Sequence, residues 1–432
     1  MSRPDADLAP EARRLGANPI PAAHRPGTDR TPQASRPDAG PTTAASRPGA
    51  DPTPQARRPG AGPTAAARRP GAALTEALGI RYPVVQGPFG GGLSTVELTA
   101  AVSEAGGLGS YGVHAMDPED IGPLVDRIRA ATAAPFAVNL WVPRAEEDRP
   151  VPDAAALAAH TDRLAGHYAE FGLTPPDLDA VNAHRDFDAQ LDAVLAARPP
   201  VVSVVMGPPP RRLVEAARST GTRVVGTATT VAEARALEEA GCDVIVASGS
   251  DAGGHRGSFL QPVRESLVGT FSLVPQVRDA VSVPVVAAGG IADGRGVAAA
   301  LVLGADGVQV GTGFLRTPES GASPVHREAL ASEQARTTVL TRLFSGRPAR
   351  GIANALVRGL ADAEDRVPPY PAQNNLMLPI RARAAERGRA DRLNLWSGQA
   401  ALLASGTATG AGAGEYLAAL VAEAGEVLGT PL

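Results

Sequence analysis

From about Ala73 onward, short apolar runs alternate with amphipathic stretches. The runs at 83–88 (PVVQGP), 107–112 (GLGSYG), 135–142 (PFAVNLWV), 201–207 (VVSVVMG), 223–229 (RVVGTAT), 243–249 (DVIVASG), 283–290 (VPVVAAGG) and 306–314 (DGVQVGTGF) read as strands. They are short, rich in β-branched residues and bounded by glycine or proline. The stretches between them have helical spacing. In TTVAEARALEEAG, Val231, Ala234 and Leu237 share a face and Gly241 closes the end. Strands that are apolar on both faces belong in a parallel sheet covered on both sides. Eight strand–helix units therefore predict an α/β fold, a (β/α)8 TIM barrel, over residues 73–335. Two additional helical patterns, AALAAHTDRLAGHYAEFG and DFDAQLDAVLAARP, fall between strands three and four. Residues 336–432 are expected to form a helical extension that covers the barrel mouth and completes the fold, with the stretch at 340–400 setting specificity. The alternative is an open doubly wound sheet, but the G-x-G-x-x-G fingerprint with its following acidic residue is absent after the first strand.

The chain before the barrel has a different texture. HRPGTDRTPQA, SRPDAGPTTAA, SRPGADPTPQA and RRPGAGPTAAA repeat with an 11-residue period. Such a period can specify a right-handed coiled coil, but an Arg-Pro pair in every copy forbids a helix and no apolar stripe exists to bury. Residues 1–72 are read as a disordered arm. It is either a binding segment with regularly spaced arginines or a low-complexity extension without a role.

Composition removes several chemistries. All 41 basic residues are arginine, which excludes a P-loop lysine, a pyridoxal-phosphate Schiff base and a lysine-dependent aldolase. A net charge of −4 implies no polyanionic partner. The single cysteine, Cys242, excludes disulfide frameworks and four-cysteine zinc sites. It precedes strand six, away from the mouth, and so cannot be the nucleophile of a nucleotide dehydrogenase. No run approaches the roughly 18 apolar residues of a membrane span, and no hydrophobic signal core is present. The expectation is a soluble, cytoplasmic protein without a nucleic-acid or membrane partner, its oligomeric state left open.

Active groups of such barrels gather at the C-terminal ends of the strands. The loop QGPFGGGLST after strand one lets backbone approach a flat ligand closely. Strand three contains Asn139, an amide that is either functional or a buried group bonded to neighbouring backbone. VVAAGGIADGRG and DGVQVGTGFL end strands seven and eight with small residues and backbone N–H groups before a helix or turn, which can hold an anion without lysine. These glycines either bind the phosphate of a cofactor across the mouth or only serve tight turns. His255, in SGSDAGGHRGSF after strand six, faces the same mouth. A lone histidine is often structural, yet this one lies in a glycine loop and can accept a proton near neutral pH. The other six histidines are expected in the tail, in helices or in peripheral loops.

Taken together, PVVQGPFGGGLSTVELTAAVSEAGGLGS, PFAVNLWVP, DVIVASGSDAGGHRGSF, VPVVAAGGIADGRGVAAALVLGADGVQVGTGFLRTPES, LFSGRPARGIANALV, YPAQNNLM and LWSGQAALL resemble the nitronate monooxygenases, once called 2-nitropropane dioxygenases. The resemblance spans roughly residues 74–404. It implies an FMN-dependent barrel that oxidises alkyl nitronates with O2 to a carbonyl compound and nitrite, without consuming a nicotinamide. By position, it makes His255 the base that deprotonates a neutral nitroalkane or orients the nitronate. It assigns flavin contacts to Gln86, Gly87, Pro88 and Asn139. Gly253 would face the flavin, and Gly289, Gly290, Gln309, Gly311 and Thr312 would hold its phosphate and ring edge. Three positions depart from the family pattern: Ser248-Gly249 stands for Gln-Gly, so a shorter side chain at Ser248 meets the flavin; Asp251 stands for glutamate; and Phe89 stands for methionine, which reshapes the substrate pocket. Two rivals are an FMN-dependent enoyl-thioester reductase using NAD(P)H, which shares the barrel and the GGH loop, and a flavin-binding protein without turnover.

Overall fold

A computed structural model describes residues 69–144, 154–404 and 410–432, all within one compact unit, Thr64–Leu432. All but the last four residues of the expected arm lie outside the described residues.

The barrel strands are β1 (Val84–Gln86), β2 (Gly109–Gly112), β3 (Phe136–Trp141), β4 (Val201–Val205), β5 (Arg223–Ala228), β6 (Val244–Ser248), β8 (Val285–Ala288) and β9 (Gly307–Val310). They form one parallel sheet in the order β1-β9-β8-β6-β5-β4-β3-β2. Its ends meet: Val85 bridges Leu108, Gln86 N–H donates to Leu108 O (2.9 Å) and Leu108 N–H donates to Val84 O (3.0 Å). The expected (β/α)8 barrel is therefore present. The last strand is shorter than its sequence suggests, because the chain turns helical at Thr312–Leu315.

Alternation along the strands sends every second side chain inward. Val85, Ala137, Val201, Val225, Val244, Val246 and Val286 fill the interior, and Leu74 and Leu78 of helix Ala72–Leu78 plug it at the N-terminal end. Each of these valines and leucines removed from water is worth about 1.5–3 kcal/mol. The opposite residues of the same strands pack on the surrounding helices.

A second apolar core lies outside the barrel. Helix Ala154–Phe171, inserted after β3, contributes Leu164, Tyr168 and Phe171, while helix Ala372–Glu386 contributes Leu376, Met377 and Ile380. The Tyr168 hydroxyl donates to Leu376 O, tying the two. A small antiparallel sheet joins this layer to the barrel: β10 (Thr338–Thr341) pairs with β11 (Ala349–Ile352), which pairs with β7 (Gly254–His255). The final helix, Ala413–Leu428, returns to the barrel wall. Its Tyr416 hydroxyl donates to Ala292 O (2.8 Å), and Glu423 accepts from Gly294 N–H (2.9 Å). Among the described residues no helix is long and apolar enough to cross a membrane.

Candidate active site

β7 is two residues long and exists because the C-terminal part of the chain pairs with it. Ala349 sits opposite His255, and Arg256 N–H donates to Pro348 O (3.0 Å). The loop is fixed from beneath as well. The buried Arg256 guanidinium donates to Gly249 O (2.6 Å) and Ser248 O (2.8 Å), clamping the end of β6. His255 is thus held on both sides at the C-terminal mouth.

Its imidazole lies among rings. Trp141, at the end of β3, meets it edge-on at 4.9 Å between centroids, and Trp396 does so at 5.3 Å. Burial, with a smaller contribution from the Arg381 charge, pushes the His255 pKa down to about 3. Nε2 lies 2.8 Å from Ser345 Oγ. Burial removes solvation from the charged form, so His255 is neutral at physiological pH.

The structure adds groups that sequence reasoning missed. His114, just after β2, stacks on Trp141 with centroids 3.7 Å apart and planes 7° from parallel. It is not peripheral. Burial, then the charges of His255 and Arg347, push its pKa down to about 3, and its Nδ1 has no hydrogen-bond partner. The Arg347 guanidinium lies over Tyr370 (4.5 Å) and Trp141 (5.1 Å). These residues come from separate elements, and only the His255 loop carries a local signal.

The expected cofactor residues divide into two groups. Along the upper interior of the barrel, Ser248 lies in register with Ala288 and Ala288 with Gln309. Asn139 donates through Nδ2 to Ser203 Oγ (2.9 Å) and is 3% exposed. Gln86 is fully buried; its Oε1 accepts from Ser110 N–H (2.8 Å) and its amide donates to Gly87 O. The side chain continues the β1–β2 ladder where β1 ends. Gly87 and Pro88 begin the following loop, and Gly87 N–H donates to Val310 O (2.8 Å). A Cβ on Gly87 would stand 3.3 Å from Gly311 Cα, so these two loop ends nearly touch.

The second group surrounds the ends of β6, β8 and β9. Gly289 and Gly290 have φ of +104° and +71°, backbone that favours glycine, and a Cβ on Gly289 would stand 2.8 Å from Ala252 N. A Cβ on Gly253 would stand 2.4 Å from Gly398 N. Thr312, at the start of a helical turn, accepts through Oγ1 from Gly398 N–H (2.9 Å), and Gln399 N–H donates to Asp251 O (3.0 Å). Three loop ends and the Ser397–Gln399 turn therefore converge on one small-residue surface. Asp251 turns its carboxylate away, accepting from Thr270 N–H (2.7 Å) and Thr270 Oγ1 (2.8 Å). Cys242 precedes β6 and is buried with Val224 and Leu237, and desolvation raises its thiol pKa to about 12, so it is a poor nucleophile.

A sequence model of the family described as nitronate monooxygenase matches residues 72–423. A protein named probable nitronate monooxygenase from Staphylococcus haemolyticus (strain JCSC1435) is 40% identical over 335 residues, which cover 77% of this chain and 92% of the relative. Among solved structures, nitroalkane oxidase from Streptomyces ansochromogenes matches with a TM-score of 0.74 and 38% identity over 83% of this chain and 99% of that one. FabK from Thermotoga maritima matches with a TM-score of 0.64 and 30% identity over 82% and 96%.

Proposed function

The chain belongs to the nitronate monooxygenase family, and on that premise we propose that it uses FMN and O2 to convert small alkyl nitronates into a carbonyl compound and nitrite. The observation that carries the reading is His255, held neutral between two tryptophans at the barrel mouth.

Two features fit a flavin mononucleotide. At Gly290 and Gly311 a Cβ would meet nothing nearer than 3.3 and 3.7 Å, a small-residue surface at two loop ends that suits a phosphate. The buried, unpartnered Nδ1 of His114 is a polar atom that awaits a bonding group. Gly87, Pro88, Asn139, Ser248 and Gln309 would border the ring. When bound, FMN supplies one-electron redox chemistry and reactivity toward O2.

The protein's own residues supply the proton chemistry. Ser345 Oγ donates to Arg347 O (3.2 Å) and accepts from Arg347 N–H (3.3 Å). In the tautomer in which Oγ accepts from His255 Nε2–H, the lone pair falls on Nδ1. Nδ1 can then take a proton from the carbon bearing a nitro group, leaving the nitronate anion. The flanking rings of Trp141 and Trp396 exclude water from that exchange. Replacing Ser345 with alanine removes the tautomer-fixing partner and should lower turnover of nitroethane about tenfold, the worth of one buried hydrogen bond. Turnover of preformed ethyl nitronate should change much less, and equal losses on both would show that Ser345 serves only the fold.

The direct test is oxygen uptake and nitrite release by the FMN-loaded protein given ethyl nitronate without NAD(P)H. Oxygen consumed with nitrite formed is the expected result. No uptake, together with NADPH-dependent reduction of an enoyl thioester, would replace this reading with the reductase.

A further inference from the structure

We propose that His326 is a positioning residue that holds Trp396 and, through the Trp396 ring, fixes one wall of the His255 site; this deepens the nitronate reading and rests on it for the reaction. His326 lies on helix Pro324–Ala331, where Ser323 Oγ caps its N–H (3.3 Å), and it is 5% exposed. Its Nε2 lies 3.1 Å from Trp396 O. A carbonyl oxygen only accepts, so Nε2 carries a proton and donates it there. Burial pushes the ring's pKa down to about 4, so His326 is neutral at physiological pH and its one N–H is committed to Trp396.

The bond matters because of what Trp396 touches. Its ring meets His255 edge-on at 5.3 Å between centroids and Phe344 at 5.8 Å. Behind it lies Gly351 of β11, where a Cβ would stand 3.1 Å from Trp396 Cε3. The indole is thus boxed by Phe344, β11 and His255, and any shift of its backbone carries it against the imidazole. That backbone opens an irregular turn, joined to Gly351 by an isolated bridge. Further along, Ser397 N–H donates to Arg350 O (3.3 Å), Gly398 N–H to Thr312 Oγ1 (2.9 Å) and Gln399 N–H to Asp251 O (3.0 Å). These three bonds all lie downstream of the indole. At Trp396 itself the carbonyl is held from the outer core, to which the His326 helix contributes Ala329 and Leu330. Among the described residues no other donor reaches that oxygen. One neutral N–H therefore sets where the ring beside the base can stand.

The test compares H326N and H326Q with wild type. Glutamine reaches as far as Nε2 and keeps an N–H donor, whereas asparagine is too short to meet Trp396 O. In H326N, kcat for nitroethane should fall about three- to tenfold, the equilibrium worth of one hydrogen bond. Ethyl nitronate needs no proton removed, so its kcat should stay within about twofold. H326Q should recover most of the loss. H326L, which fills the space without a donor, should behave as H326N does and stands in for it if asparagine unfolds the helix. A second readout needs no turnover. The chain has two tryptophans, so in a W141F background all indole emission comes from Trp396. There H326N should shift that emission to the red and raise its quenching by acrylamide, and H326Q should do neither. A histidine that serves only the fold would lower the unfolding temperature but leave Trp396 emission and the nitroethane-to-nitronate ratio unchanged, and that result overturns the proposal. So does a Trp396 that moves while the ratio stays fixed. If wild type oxidises neither substrate, the nitronate reading falls, and Trp396 emission alone decides whether His326 positions it.

Discussion

Replacing His255 with asparagine should lower turnover of neutral nitroethane by about 10²-fold, the low end of the usual contribution of a positioned general base, because an imidazole with a pKa near 3 is a weak proton acceptor. Ethyl nitronate has already lost that proton, so its turnover should fall less than about tenfold. The asymmetry follows from the site: Nε2 is engaged by Ser345 Oγ, which leaves Nδ1 for the substrate, and the ring is clamped between Trp141 and Trp396. The pH dependence gives a second readout. With the imidazole pKa near 3, the wild-type rate on nitroethane should not break near 6.5, the ordinary histidine value, but only at markedly lower pH. Stability moves in the corresponding direction. The unfolded chain protonates this histidine below about 6.5 and the folded chain only near 3, so the fold loses stability as pH falls through that window. H255N removes that liability and should resist acid unfolding to lower pH than wild type. Initial-rate oxygen uptake on the two substrates decides the matter. Equal losses would make His255 an orienting group, and no loss would move the base to another residue, with His114 the next to replace.

The barrel was legible because its strands are nearly pure: VVSVV and VIVAS have no other stable place than a sheet covered on both faces. His255 was legible because glycines isolate it in a loop at the functional end. His114 was not, since its neighbours in sequence give no hint that β2 and β3 will bring it onto Trp141. Ser345 and Arg347, just before β11, come beside His255 and Trp141 where β11 pairs with β7, a contact between residues about a hundred positions apart that no local periodicity encodes. Gln86 marks the opposite limit. Its place beside a glycine loop suggests a ligand contact, and nothing local shows that its side chain is fully buried where β1 ends. There the amide completes the barrel wall by bonding Ser110 N–H.

Replacing Glu233 with alanine should cost the fold about 3–5 kcal/mol, the loss expected when one partner of a buried polar network is removed. Glu233 lies on helix Val231–Glu239, is fully buried, and among the described residues has no ion-pair partner within reach. Backbone and hydroxyl donors satisfy it instead. Oε2 accepts from Thr229 N–H (2.7 Å) and Thr229 Oγ1 (2.6 Å), and Oε1 accepts from Phe259 N–H (2.6 Å) and Leu260 N–H (3.2 Å). Alanine would orphan these donors at once, and each buried donor left unmade carries its own desolvation cost. Glutamine keeps the shape and one acceptor oxygen but turns an NH2 toward one pair of donors, so E233Q should fall between alanine and wild type in chemical denaturation. Because Phe259 and Leu260 continue directly from the loop that carries His255, the effect should reach function too. E233A assayed below its unfolding temperature should lose turnover on nitroethane more than on ethyl nitronate, as the base loses its fixed position. A destabilisation under about 1 kcal/mol would mean that water replaces the carboxylate in this pocket. Glu233 would then be a tolerated charge and not the pin between the β5 turn and the catalytic loop.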